Sequence, residues 1–299
     1  MKIIWTHAVV VAAMLFWGMS FIWSKIVFET YSPVTTILFR LIVSVAILFP
    51  FIYLSKQKQK IRKSDFKFFF FSAVFNPFLY FIGENFGLQQ VSASLTSVII
   101  STIPVITPFV VFLFYKERVT KLNIAGLFIS FAGIIVIVMA DRIDLRAKPE
   151  GLMFLTLAVL SAIVYSLYVK RLTFHYHAIT IIAWQNLIGI FLFLPLFLIT
   201  DGTTPFTVIP DRKTVFSLFM LGLFASSLAF IFYTYGIQKL GIIKTNLYTN
   251  LIPVFAFIFA FIILNEVVTL QKIAGLLIVL TGIVLSEINK GKEVMLGKR

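Results

Sequence analysis

From Ile4 to Glu287 the chain is a succession of apolar runs separated by short polar connections. Each run is about 20 residues long, enough for a helix to cross the hydrocarbon core of a bilayer. With 60% hydrophobic residues and 13% charged ones, a soluble fold of 299 residues could not hide its apolar surface. A β-barrel would show short alternating segments instead. The chain is therefore expected to be an all-α polytopic membrane protein. Its spans are read at roughly 4–26, 34–54, 66–87, 93–115, 122–140, 150–170, 178–199, 214–236, 244–264 and 271–288. The first run is too long for the h-region of a signal peptide and no small-residue cleavage site follows, so it reads as a retained helix.

The net charge of +14 does not point to nucleic acid, because the basic residues sit in the connections. There they act as topology determinants. With the N-terminus inside, cytoplasmic segments hold 18 Lys and Arg, seven lie on the other side, and Arg40 lies within a span. Both termini are expected in the cytoplasm and the chain in the plasma membrane. The absence of cysteine excludes disulfides and thiolate metal sites. His7, His175 and His177 make no metal spacing with acids, and neither a metal nor a cofactor is expected.

The stretch 103–134 aligns without a gap with 252–283, 149 residues later. The match keeps Pro104/Pro253, Glu117/Glu266, Thr120/Thr269, Gly126/Gly275 and Gly133/Gly282. Each half then holds five spans, an odd number, so the second copy enters the membrane from the opposite side. That is an inverted-topology repeat, a plan that places a site at the seam of two halves. The repeats are read as 1–140 and 141–288, with a cytoplasmic tail at 289–299. Glu117 and Glu266 fall in loops on opposite faces, three residues before a Thr able to cap the next helix, and read as symmetric structural turns.

The chain resembles the EamA branch of the drug/metabolite transporter superfamily over all ten spans. The resemblance rests on "FWGMSF" (16–21), Arg40, "FGLQQVSASLTSVIISTIPV" (86–105) and "KERVT" (116–120), with second-half counterparts "YGIQKLGIIKTNLYTNLIPV" (235–254) and "NEVVT" (265–269). It implies two inverted five-helix repeats around a central cavity, and a secondary transporter, often an exporter, of amino acids, other small metabolites or drugs. It implies no particular substrate.

Polar groups inside a membrane helix should face protein or water. Ser97, Ser101 and Pro104 share a face of span four, and Asn246, Asn250 and Pro253, with Thr249 beside them, repeat the pattern in span nine. Asn76, Tyr80 and Glu84 share a face of span three. Glu84 is the one acid well inside a predicted span and Arg40 the one strong base, and the two are placed to pair. Glu84 is read as a carrier of a coupling proton, a contact for a cationic solute or part of an outer gate; a fixed structural pair is the alternative. Trp17, Ser20, Tyr165 and Tyr168 set aromatic and hydroxyl groups at equivalent positions of spans one and six, and Tyr233 stands in the second half where Glu84 stands in the first. Gln185, Asn186, Ser226 and Ser227 are lesser candidates. The paired glycines read as helix-packing positions, within the chain or across a homodimer.

The expected function is secondary transport of a small organic solute by alternating access, with proton coupling, in a lipid bilayer. An uncoupled facilitator or a channel is the alternative. No P-loop supplies ATP, and no set of paired acids, His cluster or nucleophile with a base supports an intramembrane enzyme.

Overall fold

The computed structural model describes residues 2–91, 96, 99–115, 120–139, 148–264 and 269–287. The first half contains α1 (Lys2–Phe28), α2 (Pro33–Leu54), α3 (Phe66–Ala73), a π-helical stretch (Val74–Leu79), α4 (Tyr80–Gln90), α5 (Ile103–Tyr115) and α6 (Lys121–Met139). The second contains α7 (Pro149–Leu172), α8 (Ala178–Thr200), α9 (Arg212–Met220), a π-helical stretch (Leu221–Leu228), α10 (Ala229–Leu240), α11 (Ile242–Leu247), a 3-10 turn (Tyr248–Asn250), α12 (Leu251–Leu264) and α13 (Leu270–Glu287). Among the described residues seven helices are long and apolar enough to cross a membrane. Three further apolar helices, Ile103–Tyr115, Lys121–Ile137 and Leu270–Ser286, are shorter.

Local chemistry sets the helix ends. Ser32 caps α2 by accepting from the Thr35 amide at 3.1 Å, and Pro33 starts the first turn, where its missing N–H costs nothing. Gly241, at φ 88°, closes α10 and opens α11 in one residue. A side chain there would be strained.

Span three departs from the single helix expected over 66–87. Pro77 supplies no N–H, and Asn76 leaves the helical region at φ −152° and ψ 120°. The π-helical stretch that results has a counterpart at Leu221–Leu228, in the same place of the second half but without a proline. There Ser227 donates to the Gly222 carbonyl at 2.7 Å.

The core is largely apolar, but polar side chains are buried within it and large apolar ones are exposed around it. Arg40, Asn76, Gln185, Asn186, Asn246 and Asn250 are buried, whereas Phe109, Leu113, Phe128, Leu277 and Val284 are exposed. An apolar rim, with the polar side chains of the spans turned inward, is the arrangement a bilayer requires.

The glycines of the repeat pack against one another within the chain. A Cβ on Gly133 would stand 2.8 Å from the Gly275 carbonyl oxygen, and one on Gly126 2.5 Å from that of Gly282. Gly126 meets Gly282 while Gly133 meets Gly275, so α6 and α13 cross antiparallel. Repeat-equivalent helices that run in opposite directions are what an inverted repeat demands. Of the two readings of these glycines, the structure displays the intramolecular one.

Connections gather at two ends of the bundle. At one end Gln59 accepts from the His177 amide (2.7 Å), Tyr176 donates to Asp65 (2.8 Å) and Gln238 donates to the Thr173 carbonyl (2.9 Å). At the other, Thr30 meets Thr214 at 3.1 Å, and Asp201 accepts from the Ser32 hydroxyl and from the Thr35 hydroxyl at 2.6 Å.

Candidate functional site

Between these ends lies a cavity walled by side chains of both halves. Its first-half lining is Trp17 and Ser20 from α1, Arg40 from α2, Asn76 from the π-helical stretch, Tyr80, Phe81 and Glu84 from α4, Ile100, and Ile103 from α5. The second half adds Ala162 and Tyr165 from α7, Phe230 and Tyr233 from α10, Asn246 from α11, Thr249 from the 3-10 turn and Ile252 from α12. The cavity volume is ≈ 40 Å³. One water needs roughly 10–15 Å³ on this measure, so a few waters fit and an organic solute does not.

Helical spacing builds the acidic wall. Tyr80 and Glu84 are four residues apart on α4, so the Tyr80 hydroxyl reaches Glu84 Oε1 and donates to it at 2.8 Å. Arg40 is 2% exposed. Its Nε donates to Ser226 Oγ at 2.6 Å, and its guanidinium carbon lies 4.4 Å from the centre of the Phe81 ring. Nothing among the described residues forms a direct Arg40–Glu84 ion pair, which corrects the pairing expected from sequence. Phe81 comes up beneath the guanidinium and Ser226 takes Nε, so the charge is met by a ring face and a hydroxyl. Arg40 and Glu84 nevertheless face the same cavity.

Behind Arg40 a chain of bonds ties α2 to α8 and to the second π-helical stretch. Asn186 donates to Ser44 Oγ (2.8 Å) and to the Ser226 carbonyl (2.9 Å), and the hydroxyl oxygens of Ser44 and Ser227 lie 2.7 Å apart. Asn186, Ser226 and Ser227 therefore hold the wall rather than line it.

The second-half wall is neutral. The Tyr233 hydroxyl donates to Asn246 Oδ1, and Asn246 Nδ2 donates to Thr107 Oγ1 at 2.9 Å, crossing from α11 to α5. The Thr249 hydroxyl donates back to the Asn246 carbonyl at 2.7 Å. Gln185, the repeat counterpart of Arg40, is fully buried beside the Tyr165 hydroxyl together with Thr234. Tyr165 Oη, Thr234 Oγ1 and both amide atoms of Gln185 make no well-formed hydrogen bond among the described residues.

Aromatic rings close the space. Trp17 lies 4.9 Å from Phe230 edge-on and 5.2 Å from Tyr233, Phe81 lies 6.1 Å from Phe230, and Tyr165 meets Phe230 edge-on at 6.2 Å. The indole of Trp17 donates to the Ala225 carbonyl at 3.2 Å and the Ser20 hydroxyl to the Trp17 carbonyl at 2.7 Å.

Of the residues singled out from sequence, Trp17, Ser20, Arg40, Asn76, Tyr80, Glu84, Tyr165, Tyr233, Asn246 and Thr249 face this one cavity. Three others do not. Tyr168, one helical turn from Tyr165, stacks on Phe71 (5.7 Å) and Phe75 (5.8 Å). Asn250 turns toward α6 and donates to Ser130 Oγ at 2.9 Å. Ser101 is buried but does not line the cavity. Ser97, Glu117 and Glu266 lie outside the described residues. The apolar lining of Phe81, Ile100, Ile103, Ala162, Phe230 and Ile252 was not singled out. Phe230 had a signal, since it precedes Tyr233 by three positions and shares its face.

A profile described as the EamA-like transporter family matches residues 4–139 and again 149–288. An uncharacterized transporter of Archaeoglobus fulgidus is 26% identical over 271 residues, covering 90% of this chain and 93% of its own. The uncharacterized transporter YcxC of Bacillus subtilis is 25% identical over 282 residues, covering 92% and 90%. A WAT1-related chloroplastic protein of Arabidopsis thaliana is 25% identical over 297 residues, covering 97% of this chain and 70% of its own. A crystal structure superposes with a TM-score of 0.77 over 95% of this chain and 98% of the other, at 16% identity, a likeness of fold alone.

Proposed function

The chain belongs to the EamA-like transporter family, and from that premise we propose that it is a secondary transporter, working as an exporter of a small organic solute by alternating access. The observation that carries the reading is the central cavity, where polar side chains of both halves meet around Arg40 and Glu84. Ten spans, as inverted repeats 1–140 and 141–288 with a short tail, cross the plasma membrane in this reading. The 18-to-7 bias of Lys and Arg puts both termini in the cytoplasm.

The residues then take these roles. Trp17, Tyr80, Tyr165 and Tyr233 wall the solute. Asn76, Ser20, Asn246 and Thr249 offer it hydrogen bonds. Arg40 faces an anionic or strongly polar group. Glu84 carries the coupling proton, with the Tyr80 hydroxyl holding the carboxylate in place. A cavity of ≈ 40 Å³ is too small for an organic solute, so loading requires walls that move. The π-helical stretches at 74–79 and 221–228 break the spans next to the cavity in both halves, where a wall can bend.

The test is flux in proteoliposomes, with a solute chosen from amino acids, other small metabolites and lipophilic amines by its stabilisation of the purified protein. Saturable flux with counterflow by unlabelled solute is expected. Flux that stays linear with concentration, as through a channel, overturns the carrier. Glu84→Gln is expected to abolish proton-driven accumulation while counterflow persists. Accumulation intact in that variant removes Glu84 from the coupling role.

A further inference from the structure

A second and larger cavity, ≈ 770 Å³, lies away from the central one. It is bounded by the loop after α2, by Phe66 at the start of α3 and by Trp184 of α8. Lys58, Lys60, Arg62 and Lys63 line it together with the apolar side chains of Ile61, Phe66 and Trp184. We propose that this cavity is a binding site for an anionic phospholipid, its phosphate among the four cations and the start of an acyl chain against Trp184 and Phe66.

The loop is fixed in place, which sets it apart from a charged tail. Gln59 accepts from the His177 amide at 2.7 Å. The Arg62 amide donates to the Tyr176 hydroxyl at 3.1 Å, and that hydroxyl donates to Asp65 at 2.8 Å. These bonds pin the loop to the start of α8 and leave the four side chains exposed. Asp65 is the sole acid between residues 55 and 67, and Tyr176 already engages it. The cations therefore have no acid of their own segment to neutralise them.

Depth argues for a lipid rather than a soluble anion. Trp184 is six residues beyond the start of α8, roughly 9 Å along the helix axis. It is half-buried, packed edge-on to Phe49 at 5.7 Å, and lines the cavity. The site thus has charge at the level of headgroups and an indole at the level where acyl chains begin. A free phosphate would use the first and leave the second bare. Clustered basic residues next to a span attract acidic lipid by about fivefold in affinity per cation, before screening.

Native mass spectrometry on the full chain, with phosphatidylglycerol and phosphatidylcholine in competition, tests this. The protein is expected to retain phosphatidylglycerol in preference by about tenfold or more. In the combined variant Lys58→Gln, Lys60→Gln, Arg62→Gln and Lys63→Gln that preference is expected to fall to near parity. Arg212→Gln with Lys213→Gln, at the opposite end of the bundle, should leave it unchanged. An undiminished preference in the fourfold variant overturns the proposal, and so does release of the lipid by millimolar inorganic phosphate, which would assign the cations to a soluble anion. A second measurement needs no variant. Phosphatidylglycerol with a photoreactive acyl chain should label the segments holding Phe66 and Trp184 in the unmodified protein, whereas labelling spread evenly over the apolar rim overturns the site.

Discussion

The two halves of the molecule share a helical plan and differ in chemistry where they meet. At the α6–α13 crossing they are symmetric, glycine for glycine, with Gly126 on Gly282 and Gly133 on Gly275. At the central cavity they are not. Arg40 of the first half has Gln185 for a counterpart, and Glu84 has Tyr233. A packing seam between equivalent antiparallel helices imposes the same steric demand on both, so both keep glycine. A site on the pseudo-axis carries no such demand. One guanidinium and one carboxylate serve it from one side, and a second pair would add two more charges to desolvate. The difference teaches that geometry and charge are distributed by separate rules in this fold.

The comparison breaks most visibly at the seam. In Gly282→Leu the new Cβ meets Ser130 N and the Gly126 carbonyl oxygen, both backbone atoms that cannot rotate away. A loss of about 3 kcal/mol or more is expected, read as a lowered thermal midpoint of the purified protein. An unchanged midpoint would show that α6 and α13 part freely. Next comes an attempt to impose symmetry of charge on the cavity. Gln185→Arg puts a guanidinium at a fully buried position. About 2.5–3.5 kcal/mol of destabilisation is expected, again by thermal midpoint. Tolerance of that arginine would mean that an acid, or water, reaches Gln185.

How much of this was legible beforehand depends on the residue. The apolar runs and the repeat are strong signals, because about 20 apolar residues in a row admit few other folds. Polar residues within spans were nearly as readable, since Tyr80, Glu84, Tyr233 and Asn246 have nowhere to go but inward. The apolar half of the lining was not readable, because Phe81 facing a cavity and Phe109 facing lipid are the same residue type in the same kind of run. Tyr168 and Asn250 show the converse limit. Each is one turn from a lining residue, and a few tens of degrees of helix rotation decide whether it faces the cavity or a neighbouring helix. The Arg40–Glu84 pairing failed for another reason. Charge balance says that the two should meet, but only tertiary packing could reveal Phe81 and Ser226 already in contact with the guanidinium.

Milder changes sharpen the comparison. Arg40→Gln gives the first half the residue that the second half has. Among the described residues Arg40 is held by a hydroxyl and a ring face, not by a direct ion pair, so its removal strands no bonded carboxylate, and the thermal midpoint should barely move. Transport is expected to fall by about tenfold, a difference of about 1.4 kcal/mol in the barrier, through a higher apparent KM for the solute. A large drop in the midpoint without a change in KM would instead make Arg40 a structural anchor.

The smallest expected effect concerns the second-half counterpart of Glu84. Tyr233→Phe removes the hydroxyl that donates to Asn246 Oδ1 and keeps the ring that packs on Trp17. Asn246 still donates to Thr107, so the α11–α5 tie survives and only one acceptor is left open. That acceptor borders the cavity, where water can reach it, so the cost should be about 1 kcal/mol. Tyr80→Phe removes a cavity hydroxyl of the first half, which donates to a carboxylate. Bonds to charged groups contribute about 1.5–3 kcal/mol, so Tyr80→Phe should change the pH dependence of transport while Tyr233→Phe should not. Equal pH profiles in the two variants would show that Glu84 and Asn246 are interchangeable as acceptors, and the asymmetry between the halves would then carry no functional weight.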